Sequence, residues 1–265
     1  MTFEQVLEAA RAHPDSVRVP AGWGQGRAIF GGLMAAMVFE AMRSRLGHDR
    51  PVRSLAITFV GPASADTPIR LEVELLRHGT GVSTLLGRAV QQGQVVTLVQ
   101  GSFGAARSSA VSVPAVPAPE MPALEASAAP LPHIPGVTPQ FMKNLELRWA
   151  IGGLPFSGND SRTMGGWVRL RDLQDGEMNE AHLLALVDAW PPSVLPMLRQ
   201  PAAGSTLTWT IEFVQSVRSL NAGDWCQYRV ETEYAREGYG HAAAALWSAD
   251  GALLALSRQT VTVFG

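Results

Sequence analysis

The run Arg77-His78-Gly79-Thr80-Gly81 is matched later in the chain by Arg236-Glu237-Gly238-Tyr239-Gly240, and each run leads to a glutamine, Gln100 and Gln259, 19 residues beyond its last glycine. Self-similarity at this distance means a unit built twice, so any fold proposed for one half must also serve the other. In the first half an apolar stretch, Gly31 to Met42, precedes four strand-like stretches: Val52 to Val60, Ile69 to Arg77, Val82 to Gln91 and Val95 to Phe103. Gly-Pro, Gly-Thr-Gly and Gln-Gln-Gly turns separate these stretches, and the short spacing predicts antiparallel meander pairing. In the second half Leu145 to Ile151 and Gly165 to Leu170 read as strands, followed by a helix over Asn179 to Ala189 that stops before Pro191-Pro192. Thr206 to Phe213, Trp225 to Tyr234, His241 to Trp247 and Leu253 to Val263 then repeat the four strands, with Phe213 in the place of Phe59. The expected class is α+β, two copies of an apolar helix wrapped by an antiparallel sheet.

Between the copies, residues 105–139 hold eight of the 18 prolines among Ala and Ser. Such a run sustains neither a helix nor a central strand, so it reads as an extended connector between a unit at 1–104 and a unit at 140–265. Apolar residues make up 46% of the 265 and charged residues 17%, enough to bury a sizeable core. A net charge of −2 gives no footprint for nucleic acid. Cys226 is the single cysteine, so an intrachain disulfide is excluded and a reducing, cytoplasmic setting is expected. The N-terminal stretch mixes Glu4, Glu8 and Arg11 into an amphipathic pattern unlike a signal peptide, and Ala28 to Phe39 is too short for a membrane span.

Familiar catalytic signatures are missing. No Gly-x-Ser-x-Gly elbow occurs, Lys143 is the only lysine, and no Gly-Lys-Ser/Thr loop exists, so a serine-elbow hydrolase and a P-loop site are both disfavoured. Gly22-Trp23-Gly24-Gln25-Gly26 lacks the spacing of a dinucleotide loop, and no Cys/His cluster has metal-ligand spacing, so neither cofactor nor metal is expected. Cys226 reads as core filling and His241 as an ordinary strand residue. What stands out is polar residues within apolar elements. Asp188 follows Leu183-Leu184-Ala185-Leu186-Val187 near a helix C-terminus, where a carboxylate opposes the dipole; it is either a functional carboxylate or a cap that reaches solvent. Gln259 shares a strand face with Leu253, Ala255, Val261 and Val263 and is expected to be a buried amide tying backbones together, as Gln100 is in the first copy. Alternation puts Leu207, Trp209, Ile211 and Phe213 on the core face and Thr206 opposite, unless the strand begins with a bulge. Gly31-Gly32 at a helix start offers free N–H groups for an oxyanion, or simply close packing.

Phe30-Gly31-Gly32 opening an apolar helix, the duplicated unit, Asp188, Thr206 and Gln259 in that order together resemble the double-hotdog acyl-CoA thioesterases, the acyl-CoA thioesterase II or TesB-like group. The resemblance covers roughly residues 17 to 264, with the proline-rich connector not part of it. It implies a double hotdog that hydrolyses acyl-CoA, with Asp188 as the aspartate, Thr206 as the hydroxyl residue and Gln259 as the glutamine holding and activating a water. Leu33 follows the glycine pair where a glutamine is expected, and Trp190-Pro191-Pro192 after Asp188 departs from the pattern.

The residue types suit that chemistry. Thioester hydrolysis needs a base for water and donors for the carbonyl oxygen, and Leu186 and Val187 would raise the pKa of Asp188 toward that of a useful base. Gly31 and Gly32 would polarise the carbonyl, with the acyl chain in a slot between the two helices and the pantetheine arm at the seam between halves. The competing reading is a non-catalytic acyl-thioester or hydrophobic-ligand binding protein on the same scaffold. A hydratase is disfavoured by the lack of a Gly-Asp-x-Asn-Pro-x-His type segment. Outer sheet faces leave room for a homo-oligomer.

Overall fold

The computed structural model describes residues 1–46, 50–171, 173, 176–214 and 220–264. Helix α1 (Phe3–Ala12) opens with a capping box in which Thr2 and Gln5 satisfy each other's backbone N–H groups. The hairpin β1 (Gly24–Gln25) and β2 (Ala28–Ile29) leads into α2 (Gly31–Leu46), which is buried continuously from Gly32 to Met42. Strands β3 (Val52–Phe59), β4 (Arg70–His78), β5 (Val82–Gln91) and β6 (Gln94–Gly104) complete the first copy. The second contains β7 (Leu145–Ile151), β8 (Thr163–Leu170), α3 (Glu180–Asp188), β9 (Ala203–Phe213), β10 (Cys226–Arg236), β11 (Tyr239–Ser248) and β12 (Leu253–Phe264). Asn179 caps α3 through its side chain. Among the described residues no helix is long and apolar enough to cross a membrane.

The duplicated unit is present, but its strands do not form simple meanders. β4-β5-β6 and β10-β11-β12 do pair in sequence, whereas β3 joins β6 and β9 joins β12. β3 and β9 then pair with each other, from Ser54↔Glu212 to Thr58↔Thr208. Each would otherwise present an open edge, and joining them satisfies both rows of backbone groups. The result is one antiparallel sheet of ten strands, β4-β5-β6-β3-β9-β12-β11-β10-β8-β7, shared by both halves. It is the double hotdog: α2 and α3 lie side by side on its inner face, and their buried residues join one apolar core with the sheet.

The proline-rich segment turns once through Leu124–Ala126 and is attached to the second copy. Trp247 donates to the Val116 carbonyl (3.0 Å), Trp167 to Pro122 (3.1 Å) and Arg148 to Leu124 (3.0 Å). Proline lacks an N–H but keeps its carbonyl, so the segment serves as a row of acceptors for these indole and guanidinium donors.

Candidate active site

Helices α2 and α3 run so that the N-terminus of one meets the C-terminus of the other, and Asp188 stands at that meeting. It is the last residue of α3, flanked by the buried residues Leu186, Val187, Ala189 and Trp190, and keeps only part of its surface open to solvent. Gln259 reaches up from β12 and donates Nε2–H to Asp188 Oδ1 at 3.0 Å. The backbone N–H of Gly32 faces the same carboxylate and favours its charged form. Gly31 packs against it so closely that a β-carbon there would lie 2.8 Å from Asp188 Oδ2 and 3.0 Å from the Phe59 ring. Glycine at 31 is therefore the space the carboxylate occupies.

Burial pushes the Asp188 carboxyl up to about 7, with the bonds from Gln259 and Gly32 pulling partly the other way. Among the described residues no cation pairs with it. A carboxylate near neutrality, held by an amide and a helix N-terminus, can take a proton from water and give it back at physiological pH. The structure thus brings Asp188, Gln259, Gly31 and Gly32 together, with the Gly32 N–H turned toward the carboxylate.

Thr206 joins them through a bulge. Gln259 lies opposite Trp209 and Thr260 opposite Thr208, but Val261 lies opposite Thr206, so Leu207 is the extra residue. Leu207, expected on the core face, is 37% exposed, and Thr206 shares the face of Val261 and Gln259. Its hydroxyl makes no hydrogen bond to Asp188 or Gln259 among the described residues.

Gln100 does not mirror Gln259. It is exposed on the outer face, and the matching inward position is Gly101. Strand irregularities give the true alignment: the shift after Leu75, opposite Leu85, corresponds to the shift after Thr232, opposite Ala242. Leu85 faces Gly101 and Ala242 faces Gln259, so the glycine motifs that suggested the repeat sit two residues out of step with the strands that flank them and one out of step with β6 and β12. The end of Met42 fills the space above Gly101. The expected slot between the helices is also closed at this level, since a β-carbon on Gly32 would lie 2.9 Å from the Leu184 carbonyl. Cys226 is buried, which pushes its thiol up to about 12, and His241 points instead to Thr260 (3.3 Å). Among the described residues no three His, Cys, Asp or Glu side chains gather as a metal set.

Sequence reasoning passed over an aromatic cluster beside Asp188. Trp190 stacks on Tyr228 (centroids 5.0 Å, planes 8° apart) and meets Trp149 at 5.0 Å. Gly165-Gly166 in β8 gives no signal for it, because a β-carbon at either would meet the backbone of the neighbouring strands, the Tyr228 carbonyl for Gly165 and the Arg148 carbonyl for Gly166.

Comparison with known proteins bears on the same elements. The profile of the acyl-CoA thioesterase C-terminal domain matches residues 119–263, taking in the proline-rich segment from residue 119 on, and that of the N-terminal domain matches residues 19–104. The chain belongs to the acyl-CoA thioesterase family. Within it, acyl-CoA thioesterase 2 of Haemophilus influenzae is 24% identical over 252 residues, covering 88% of this chain and 86% of that protein. Human acyl-coenzyme A thioesterase 8 is 31% identical over 102 residues, 37% of this chain. That match spans about a third of the human protein, 32% of its length. Two solved structures share the fold: a hot dog protein of unknown function from Alicyclobacillus acidocaldarius (TM-score 0.85, 24% identity, 98% of both chains) and the tesB protein of Mycobacterium avium subs paratuberculosis (TM-score 0.75, 18% identity, 100% of both).

Proposed function

We propose that this thioesterase-family chain hydrolyses acyl-CoA to a free acid and CoA, with Asp188 as the base for direct attack by water. The observation that carries the reading is the buried carboxyl raised to about 7 without a cation beside it. A water bound to Asp188 loses its proton to the carboxylate as its oxygen adds to the thioester carbon. The tetrahedral intermediate then expels the CoA sulfur, which takes the proton back. Gln259 fixes the carboxylate's direction, Gly32 anchors it from the opposite helix, Gly31 leaves it room, and Thr206 faces the same space as a partner for the water. General-base help of this kind is worth about 10²–10⁴ in rate.

The test is free-thiol release from short, medium, long and aromatic acyl-CoAs with wild type and Asp188→Asn in parallel. The expected result is release by wild type and a loss of about 10²-fold or more in a variant that melts as a folded protein. Equal turnover in the variant would refute the role of Asp188. Tight acyl-CoA binding without release by wild type would favour the binding-protein reading.

A further inference from the structure

With the Gly32 N–H turned to Asp188, only the Gly31 N–H of the glycine pair remains uncommitted among the described residues for the substrate's carbonyl oxygen, and the oxyanion has room for a second donor. A thioester carbonyl gains negative charge as water adds, and a donor waiting there is commonly a large contributor to rate. Tyr228 stands in the right surroundings. It lies on the inner face of β10, 5% exposed, in one row with Gly166 of β8 and Trp149 of β7. Trp190 lies against both aromatic residues, 5.0 Å from the Trp149 ring and stacked on the Tyr228 ring at 5.0 Å and 8°. Trp190 is two residues past Asp188, so the stack ties the phenol ring to the end of the helix that presents the carboxylate. No hydrogen bond to any described residue engages the Tyr228 hydroxyl.

We propose that the Tyr228 hydroxyl donates the hydrogen bond that holds the carbonyl oxygen of the bound thioester and stabilises the oxyanion formed from it. The proposal rests on the hydrolase reading above and adds a catalytic residue to it. The hydroxyl keeps its proton throughout: it strengthens a hydrogen bond as charge builds and transfers nothing. Burial and the nearby Asp188 charge both push the Tyr228 pKa upward, so the group is a donor over the whole range in which Asp188 ionises.

Tyr228→Phe keeps the ring and its stack on Trp190 and removes the donor alone. Thiol release should show kcat down by about 10²-fold, in the range measured for loss of one oxyanion donor. KM should rise only by the factor of ketone preference lost in the titration below, and the melting temperature should stay close to wild type. A variant with wild-type kcat would overturn the proposal, and a large drop in melting temperature with kcat intact per folded molecule would mean the hydroxyl is merely structural. A second measurement separates this claim from the hydrolase reading. Two inert ligands, a ketone analogue in which methylene replaces the thioester sulfur and a plain S-alkyl-CoA, are titrated into both proteins. Wild type should favour the ketone, and Tyr228→Phe should lose that preference. If wild type releases no thiol from any acyl-CoA, the hydrolase reading falls, and the titration alone decides whether Tyr228 binds a carbonyl. No preference for the ketone would sink the proposal.

Discussion

Each half of the molecule buries one carboxylate on its central helix, and the two are held in opposite ways. Glu40 in α2 has no exposed surface and meets two guanidiniums, Arg11 at 3.0 Å from the neighbouring helix and Arg43 at 2.9 Å one turn on. Asp188 in α3 meets an amide and a backbone N–H and no cation. Two adjacent guanidiniums on one carboxylate oxygen make Glu40 a tie between α1 and α2. Neutral donors orient Asp188 without committing it to its charge, so it stays free to exchange a proton. Burial alone therefore does not mark a reactive carboxylate; the nature of its partner does. The sheet beneath follows the same division, with Gln259 under Asp188 and side-chain-free Gly101 at the matching position under the apolar end of Met42.

The largest effect expected from breaking this contrast is on stability. Glu40→Ala strands two guanidiniums that are partly solvated already, and should cost about 2–4 kcal/mol, somewhat below the usual loss for a broken buried pair. Urea unfolding measures it, and turnover per folded molecule should be unchanged; a loss of turnover with intact stability would contradict the division of roles. Next comes Gln259→Leu. Its bond to Asp188 lowers the carboxyl's pKa, so without it the rising limb of the kcat profile should move from near 7 to higher pH. The plateau should fall by about 10-fold or more as the base loses its orientation. A limb that stays in place would show that Asp188 is not the group titrating.

A third expectation concerns stability against pH. The Asp188 carboxyl lies above its unfolded value of 3.8, so the folded chain holds this proton more tightly than the unfolded one. The stabilisation it provides is complete below that unfolded value and is lost as pH rises through about 7. Asp188→Asn should remove this decline, leaving a flatter melting-temperature curve between pH 4 and 7, and identical curves would count against the burial effect. Gly31→Ala intrudes on the carboxylate and should cut turnover by about 10-fold, a 1.4 kcal/mol displacement in the transition state. Thr206→Val should have the smallest effect, a few-fold in kcat, because its hydroxyl has no bond to either partner.

Much of this was readable in advance, for identifiable reasons. The apolar run after Gly31-Gly32, the α3 boundaries set by Asn179 and the prolines, and the inward face of Gln259 all follow from local periodicity and capping, which the chain carries in neighbouring residues. Asp188 and Gln259 could be nominated but not paired, since nothing local links positions 71 residues apart. Gln100 misled because equal spacing in sequence does not guarantee equal register once irregular pairing intervenes. The bulge at Leu207 leaves no mark in an otherwise alternating strand, and the partnership of Glu40 with Arg11 depends on where α1 docks. The β3–β9 junction is equally invisible, being a match between two edges that only the assembled sheet brings together.

That junction has a kinetic consequence. Leu55 meets Ile211 across about 150 residues of intervening chain, and the loop closed by that contact must form before the central strands gain their hydrogen bonds. Contacts of this sequence separation slow folding, so β3 and β9 should dock late. Asp188 and Gln259 come from late in the chain, while Gly31 and Gly32 come from its start. The local contacts of α2 and of β4 through β6 can thus form early in synthesis, whereas the residues proposed for the site come together only after the last strand has been made.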